Sequence, residues 1–260
     1  MSTDFNCTQC GQCCHNLNIP LTVNEAKAWL LRGHKLKILT EAIPWINDTP
    51  LTDDVLIRKK TMTFEGSSGK LNIRILMTLV GYFTHGCPNL DSNQRCTIYE
   101  SRPLTCRIYP FEMNPKIILN PKNKLCPDAA WKTTSEDTGL ITGNQLFMVD
   151  HDTQVNINKI YTQSISDVED KKIICQGLGI KTTSLSNNGY LFHLVDPVKL
   201  LNILKTITPS IKADSQERTE MIDWVIYTKK EETLNDLISV GSHASIPDQY
   251  KSDQEEYIPL

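Results

Sequence analysis

The order of apolar and polar residues predicts a mixed chain. A short extended run over His15–Leu21 leads into Thr22-Val23-Asn24-Glu25, a capping box in which the threonine accepts from the Glu25 amide and the glutamate reaches back. The helix that starts there keeps Ala26, Trp29 and Leu30 on one face and stops at Gly33. Residues 34–54, divided by Pro44 and Pro50, read as loops. Val55–Phe64 and Lys70–Val80 are rich in β-branched and apolar residues, and Gly66-Ser67-Ser68-Gly69 between them supplies the turn of a hairpin. Beyond Trp131 the polar stretch Thr133–Asp137 reads as a boundary. Ile157, Ile160, Tyr161, Ile165 and Val168 then recur at helical spacing, which predicts one helix from Thr153 to Gly177. Gly189–Val195 reads as a strand, and Asp196-Pro197 opens a helix carrying Leu200, Leu201 and Leu204. Two more helical segments, 216–229 and 231–240, precede a polar tail from Gly241 that should fray.

The expected fold class is α+β: a small cysteine-rich domain with a β-hairpin and short helices over 1–131, a mainly helical region over 132–241, and the tail 242–260. At 260 residues with 40% hydrophobic and 22% charged content, the chain suits a globular protein with a modest core. The net charge of −3 supplies no general basic face for nucleic acid. One stretch departs from this balance. Arg95, Arg102, Arg107, Lys116, Lys122 and Lys124 outnumber Glu100 and Glu112, and these cations are read as offsetting nearby thiolates.

Those thiolates are the main chemical signal. Cys7, Cys10, Cys13 and Cys14 fall within eight residues, and Cys87, Cys96, Cys106 and Cys126 follow downstream. Two-residue gaps fold the backbone into a knuckle whose sulfurs can share one metal, at about 2.3 Å for zinc. Cys7, Cys10 and Cys13 also reproduce the start of a ferredoxin-like run, and Cys87-Pro88 and Cys126-Pro127 each offer a distant Cys-Pro. The N-terminus has neither a charged nor an apolar export region, and no apolar run approaches the roughly twenty residues of a membrane helix. The expected location is therefore the cytoplasm, without membrane association, where grouped thiols serve metals better than disulfides. His15 and His85 lie near cysteines but are not needed as ligands. Cys175, the ninth cysteine, reads as a small buried hydrophobe.

Cys87-Pro88-Asn89-Leu90, Cys96-Thr97-Ile98-Tyr99-Glu100-Ser101-Arg102-Pro103 and Cys106-Arg107-Ile108-Tyr109-Pro110-Phe111, with the N-terminal C-x-x-C-G-x-C-C, resemble the YkgJ-type cysteine-cluster proteins, a zinc- or iron-chelating family. The resemblance covers about residues 5 to 130. It implies chelation by Cys7, Cys10, Cys13, Cys14, Cys87, Cys96, Cys106 and Cys126, with iron, as an iron–sulfur cluster, or Zn2+ as the metal. Arg102 and Arg107 are read as braces that bond to carbonyls and thiolates, and Tyr99, Tyr109 and Phe111 as packing that keeps water from the metal. A flagellin lysine N-methylase carries a similar cysteine domain, which makes a protein-modifying transferase the second reading; no residue is assigned catalysis, and no Gly-rich cofactor loop is present. A cofactor pocket near Arg107 would favour it. A third reading is a zinc-stabilised module whose helical half meets a protein partner.

Overall fold

The computed structural model describes residues 2–16, 18–45, 54–112, 119–134, 140–142, 145–148, 151–207, 221–247 and 254–260. In chain order its elements are β1 (Ser2–Phe5), α1 (Cys13–Asn16), β2 (Ile19–Leu21), α2 (Val23–Leu31), β3 (Lys35–Pro44), α3 (Asp54–Thr61), β4 (Phe64–Ser68), β5 (Leu71–Tyr82), α4 (Leu104–Ile108), β6 (Trp131–Thr134), β7 (Leu140–Thr142), β8 (Gln145–Met148), α5 (His151–Ser166), α6 (Val168–Leu178), β9 (Thr182–Leu185), β10 (Gly189–Leu194), α7 (Pro197–Thr206), β11 (Val225–Tyr227), α8 (Glu231–Ser239), β12 (Ala244–Ser245) and β13 (Glu255–Pro259). The fold class is α+β. Among the described residues no helix is long and apolar enough to cross a membrane. The chain divides into two compact units, Met1–Leu21 with Tyr82–Gln163 and Thr22–Gly81 with Ser164–Leu260.

The first unit is closed by a small sheet in the order β6-β1-β8-β7. Phe5 stands opposite Trp131 in the antiparallel β1-β6 pair, while β8 runs parallel to β1 on its other side. The Phe5 ring lies 5.1 Å from that of Trp131 and 6.1 Å from that of Phe111, edge-on in the second case. Buried Phe111 and Leu119 complete this cluster. It fixes both ends of the cysteine segment, because Phe5 precedes Cys7 and Trp131 follows Cys126.

The second unit is built on a sheet whose strands run β12-β11-β9-β3-β10-β13, with β5 also pairing β3 and β4 pairing β5. Its core includes Trp29 on α2, Ile38 on β3, Ile73, Ile75, Met77 and Leu79 on β5, Ile174 on α6 and Leu200 and Leu204 on α7, all nearly inaccessible. The capping box of α2 forms as expected: the Glu25 amide donates to Thr22 Oγ1 at 3.2 Å and the Thr22 amide to Glu25 Oε2 at 2.9 Å. The strand at 189 and the helix after Asp196 also form. Asp196 Oδ1 accepts from the amides of Val198 and Lys199.

Five expectations are corrected. Residues 35–44 form the central strand β3 instead of a loop. Its polar letters concealed it: Lys37 is buried with its ammonium 3.8 Å from the centre of the Phe192 ring, and buried Thr40 bonds to His193 at 2.9 Å. Residues 54–61 are helical, with Arg58, Lys59 and Lys60 in the last turn where cations suit the helix dipole. The hairpin therefore starts at Phe64 and turns at Gly69-Lys70, between the paired residues Ser68 and Leu71. Gly66 belongs to the strand, where an added Cβ would meet the Trp224 indole at 2.9 Å.

The single helix expected over 153–177 breaks at Asp167, which is buried and uses its carboxylate to accept from the Val23 amide at 2.8 Å. The helix expected over 216–229 has, in its described part, strand β11 instead, with Ile226 in the strand and Trp224 just before it fully buried; residues 216–220 lie outside the described residues. The tail does not fray where it is described. β12 runs parallel to β11, and β13 runs antiparallel to β10 with Tyr257 opposite Leu191. The second half thus carries helices α5 to α8 as expected, together with strands β9 to β13.

Candidate metal centre

The knuckle is shaped by left-handed backbone. Gln9 and Gly11 have φ of +55° and +73°, which turns the chain so that Cys13 and Cys14 begin the short helix α1 with the Cys14 amide donating to the Gly11 carbonyl at 2.9 Å. The loop 86–96 packs against it. The Cys87 amide donates to the Cys14 carbonyl at 2.7 Å, His15 Nε2 lies 2.6 Å from Gln94 Oε1, and an added Cβ at Gly11 would stand 2.5 Å from the Gln94 carbonyl oxygen. Gly86 is equally close to His15, whose Nδ1 would be 2.8 Å from its Cβ.

This docking brings thiols together. The Cys14 thiol acts on both Cys13 and Cys87. Its influence, against the opposing effect of burial, lowers Cys13 to about 7 and Cys87 to about 6, while Cys14 itself is pushed well up by those two thiols. Cys87 also gains from Asn89, whose Nδ2 lies 3.8 Å from its sulfur. Burial raises Cys96, and it drives Cys106 up to about 12, with Cys13, Cys87 and Cys96 adding to the effect and Arg102 opposing it. Cys126 is likewise pushed up to about 12 by burial, then by the fields of Cys13, Cys7 and Cys10, against Lys124.

All eight predicted cysteines lie in the first unit. Cys13, Cys14 and Cys87 act on one another, Cys96 and Cys106 lie in the field of Cys13 and Cys87, and Cys126 lies in that of Cys13, Cys7 and Cys10. Among the described residues, no three His, Cys, Asp or Glu side chains are grouped so that they could hold a metal ion. The donor types nonetheless fit zinc or iron, since eight thiols carried by one unit offer a sulfur-only set of the kind both metals take. Cys175 is fully buried in the second unit, where burial drives its thiol up to about 12. His85 is exposed.

The expected braces take definite positions. Arg107 Nε donates to the Arg102 carbonyl at 2.9 Å and its Nη2 to the Glu100 carbonyl at 2.6 Å, tying α4 to the turn before it. Arg102 stacks on the Tyr99 ring at 3.7 Å and turns its charge toward Cys13, Cys96 and Cys106. Tyr109 accepts from the Leu125 amide at 2.9 Å, which steadies the approach to Cys126. Thr105 Oγ1 on α4 donates to the Pro20 carbonyl at 2.8 Å. Lys116 lies outside the described residues. Sequence reasoning passed over Asn89 and Gln94; the signal for the first was an amide side chain directly after a Cys-Pro, whereas nothing in Gln94 advertised its role.

No curated protein and no solved structure matches the chain. The stretch that carries all eight of these cysteines, residues 6–127, matches the model of the CxxCxxCC family, described as "Putative zinc- or iron-chelating domain".

Proposed function

We propose that residues 6–127 bind iron, as an iron–sulfur cluster, through the thiolates of Cys7, Cys10, Cys13, Cys14, Cys87, Cys96, Cys106 and Cys126. The observation that carries this reading is the docking of the Cys87 loop on the N-terminal knuckle, where the Cys87 amide donates to the Cys14 carbonyl at 2.7 Å and brings residues distant in sequence together. A buried sulfur anion is costly alone, and a metal removes that cost by replacing the thiol protons. The C-x2-C-x2-C spacing with distant Cys-Pro residues favours iron and sulfide. Zinc is the second reading, because eight cysteines also make two complete four-thiolate sets. Once bound, the metal would supply structural cohesion or electron transfer; the chain's residues supply the donors, the Arg102 countercharge and the packing around them.

The test is metal and sulfide content with visible absorbance of protein prepared without oxygen. Brown protein that bleaches in air and contains iron and sulfide is the expected result. Colourless protein with about two zincs per chain would transfer the reading to zinc, and protein that retains neither metal would sink chelation.

A further inference from the structure

A cleft of about 570 Å³ opens in the cysteine-bearing unit, a size that accommodates a small organic ligand. Cys7 and Cys106 are on its lining, so whatever enters would stand against two of the proposed metal ligands. Two cationic side chains lie on its lining. Arg102 and Arg107 are both half-buried there, and the two carbonyl bonds of Arg107 fix the plane of its guanidinium. Arg102 is stacked on Tyr99, and its buried Nε has no hydrogen-bond partner among the described residues. The nearby thiols attract its charge, but the directional bond of that N–H remains unmade, which is costly for a buried donor.

The first turns of α5 form part of the same cleft and add Lys159, which is exposed. Glu100 and Asp152 also contribute, but both are exposed, where water and salt screen them, whereas the arginines are half-buried. Guanidinium groups bind oxyanions through paired N–H donors. Three cations exceed what one monovalent carboxylate needs, and the start of a sixteen-residue helix adds its positive end. We infer that this cleft binds a small organic anion carrying a phosphate group, with Arg102 and Arg107 as its floor and Lys159 as the third cation. The site stands on the cleft's own residues and does not require the metal reading.

Full-length protein, prepared without oxygen and with its metal content counted, is titrated calorimetrically with phenyl phosphate and, separately, with benzoate. Saturable binding of phenyl phosphate, tighter than benzoate, is expected. Lys159→Gln weakens it by about threefold and Asp152→Asn tightens it by about twofold, as exposed charges should; Arg102→Gln weakens it by about tenfold or more. The two exposed substitutions act in opposite directions, which loss of folding cannot imitate. Absence of saturable binding, or an affinity unmoved by both Lys159→Gln and Asp152→Asn, overturns the site, and preference for benzoate overturns the phosphate assignment. Metal-loaded protein that binds neither anion sinks the cleft alone; metal-free protein that binds phenyl phosphate leaves the cleft standing and sinks the chelation reading.

Discussion

The amide of Cys87 donates to the carbonyl of Cys14 at 2.7 Å, so the N-terminal knuckle and the loop that begins the second cysteine group are joined by main chain as well as by sulfur. Side-chain replacement leaves this bond available. What would break it is a change in the backbone that lets the two segments approach, and Gly11 is where that approach is tightest.

Gly11→Ala should therefore cost stability on two counts. Its φ of +73° disfavours a side chain, and the new Cβ would stand 2.5 Å from the Gln94 carbonyl oxygen. About 1–3 kcal/mol and a drop in bound metal are expected. Gly33→Ala is the control: its φ is +79° with no atom of the described residues within 4 Å of an added Cβ, so only the conformational cost of about 1–2 kcal/mol should appear, with metal content unchanged. Denaturant unfolding and metal analysis of both variants check this, and equal metal content in the two would contradict it.

Cys175 should be chemically silent. It is completely buried and its thiol is pushed up to about 12, so it should resist alkylation in the native state while Cys7 and Cys10, both exposed, react in metal-free protein. Cys175→Ala should leave metal per chain unchanged, whereas Cys10→Ser or Cys106→Ser should lower it. Mass spectrometry after alkylation, with metal analysis of the variants, reads both; fast labelling of Cys175 or metal loss on its replacement would be the contrary result.

The parts of the fold that sequence made legible are those written in local chemistry. The capping box at Thr22, the Asp196-Pro197 helix start and the strand at 189 each depend on residues a few positions apart, and each formed. The central strand β3 did not announce itself, because Lys37 and Thr40 are polar letters buried by partners far along the chain, Phe192 and His193. The β13 strand was hidden likewise: Glu255 and Glu256 read as a solvated tail, but Glu255 is held by His193 and Thr182. At the candidate site, the cysteines and the bracing arginines were readable by type and spacing. Gln94 was not, since its side-chain bond to His15 joins residues 79 positions apart, and its carbonyl oxygen and left-handed backbone are contributions that any sequence letter conceals.

Glu255 gives the second unit a pH dependence of known sign. Its pKa is lowered from the ordinary 4.5, chiefly by the hydrogen bond with His193 and further by Thr182, against burial. A carboxylate with a depressed native pKa stabilises the fold above its ordinary value, and that stabilisation is lost as pH falls through the lowered native value. Wild type should therefore lose stability on acidification below about pH 4.5, and Glu255→Gln should be less stable at pH 7 while losing less between pH 5 and pH 3. Denaturant midpoints across that range decide; parallel curves for the two proteins would rule the linkage out.

Metal removal should act unevenly along the chain. Structural thiolate sites supply on the order of 10 kcal/mol, comparable to the whole stability of a domain, and the first unit has otherwise a small aromatic cluster around Phe111 and Leu119. The second unit has its own core of Trp29, Ile38, Ile75, Leu79, Ile174 and Leu200. A chelator should thus strip hydrogen-exchange protection from residues 7–16 and 87–131 first and leave the amides of α2, β3 and β5 protected, even though these elements lie between the two cysteine groups in sequence. Early loss of protection in α2, β3 and β5 on chelation would mean that metal sustains both units, and equal protection everywhere after metal removal would mean that it sustains neither.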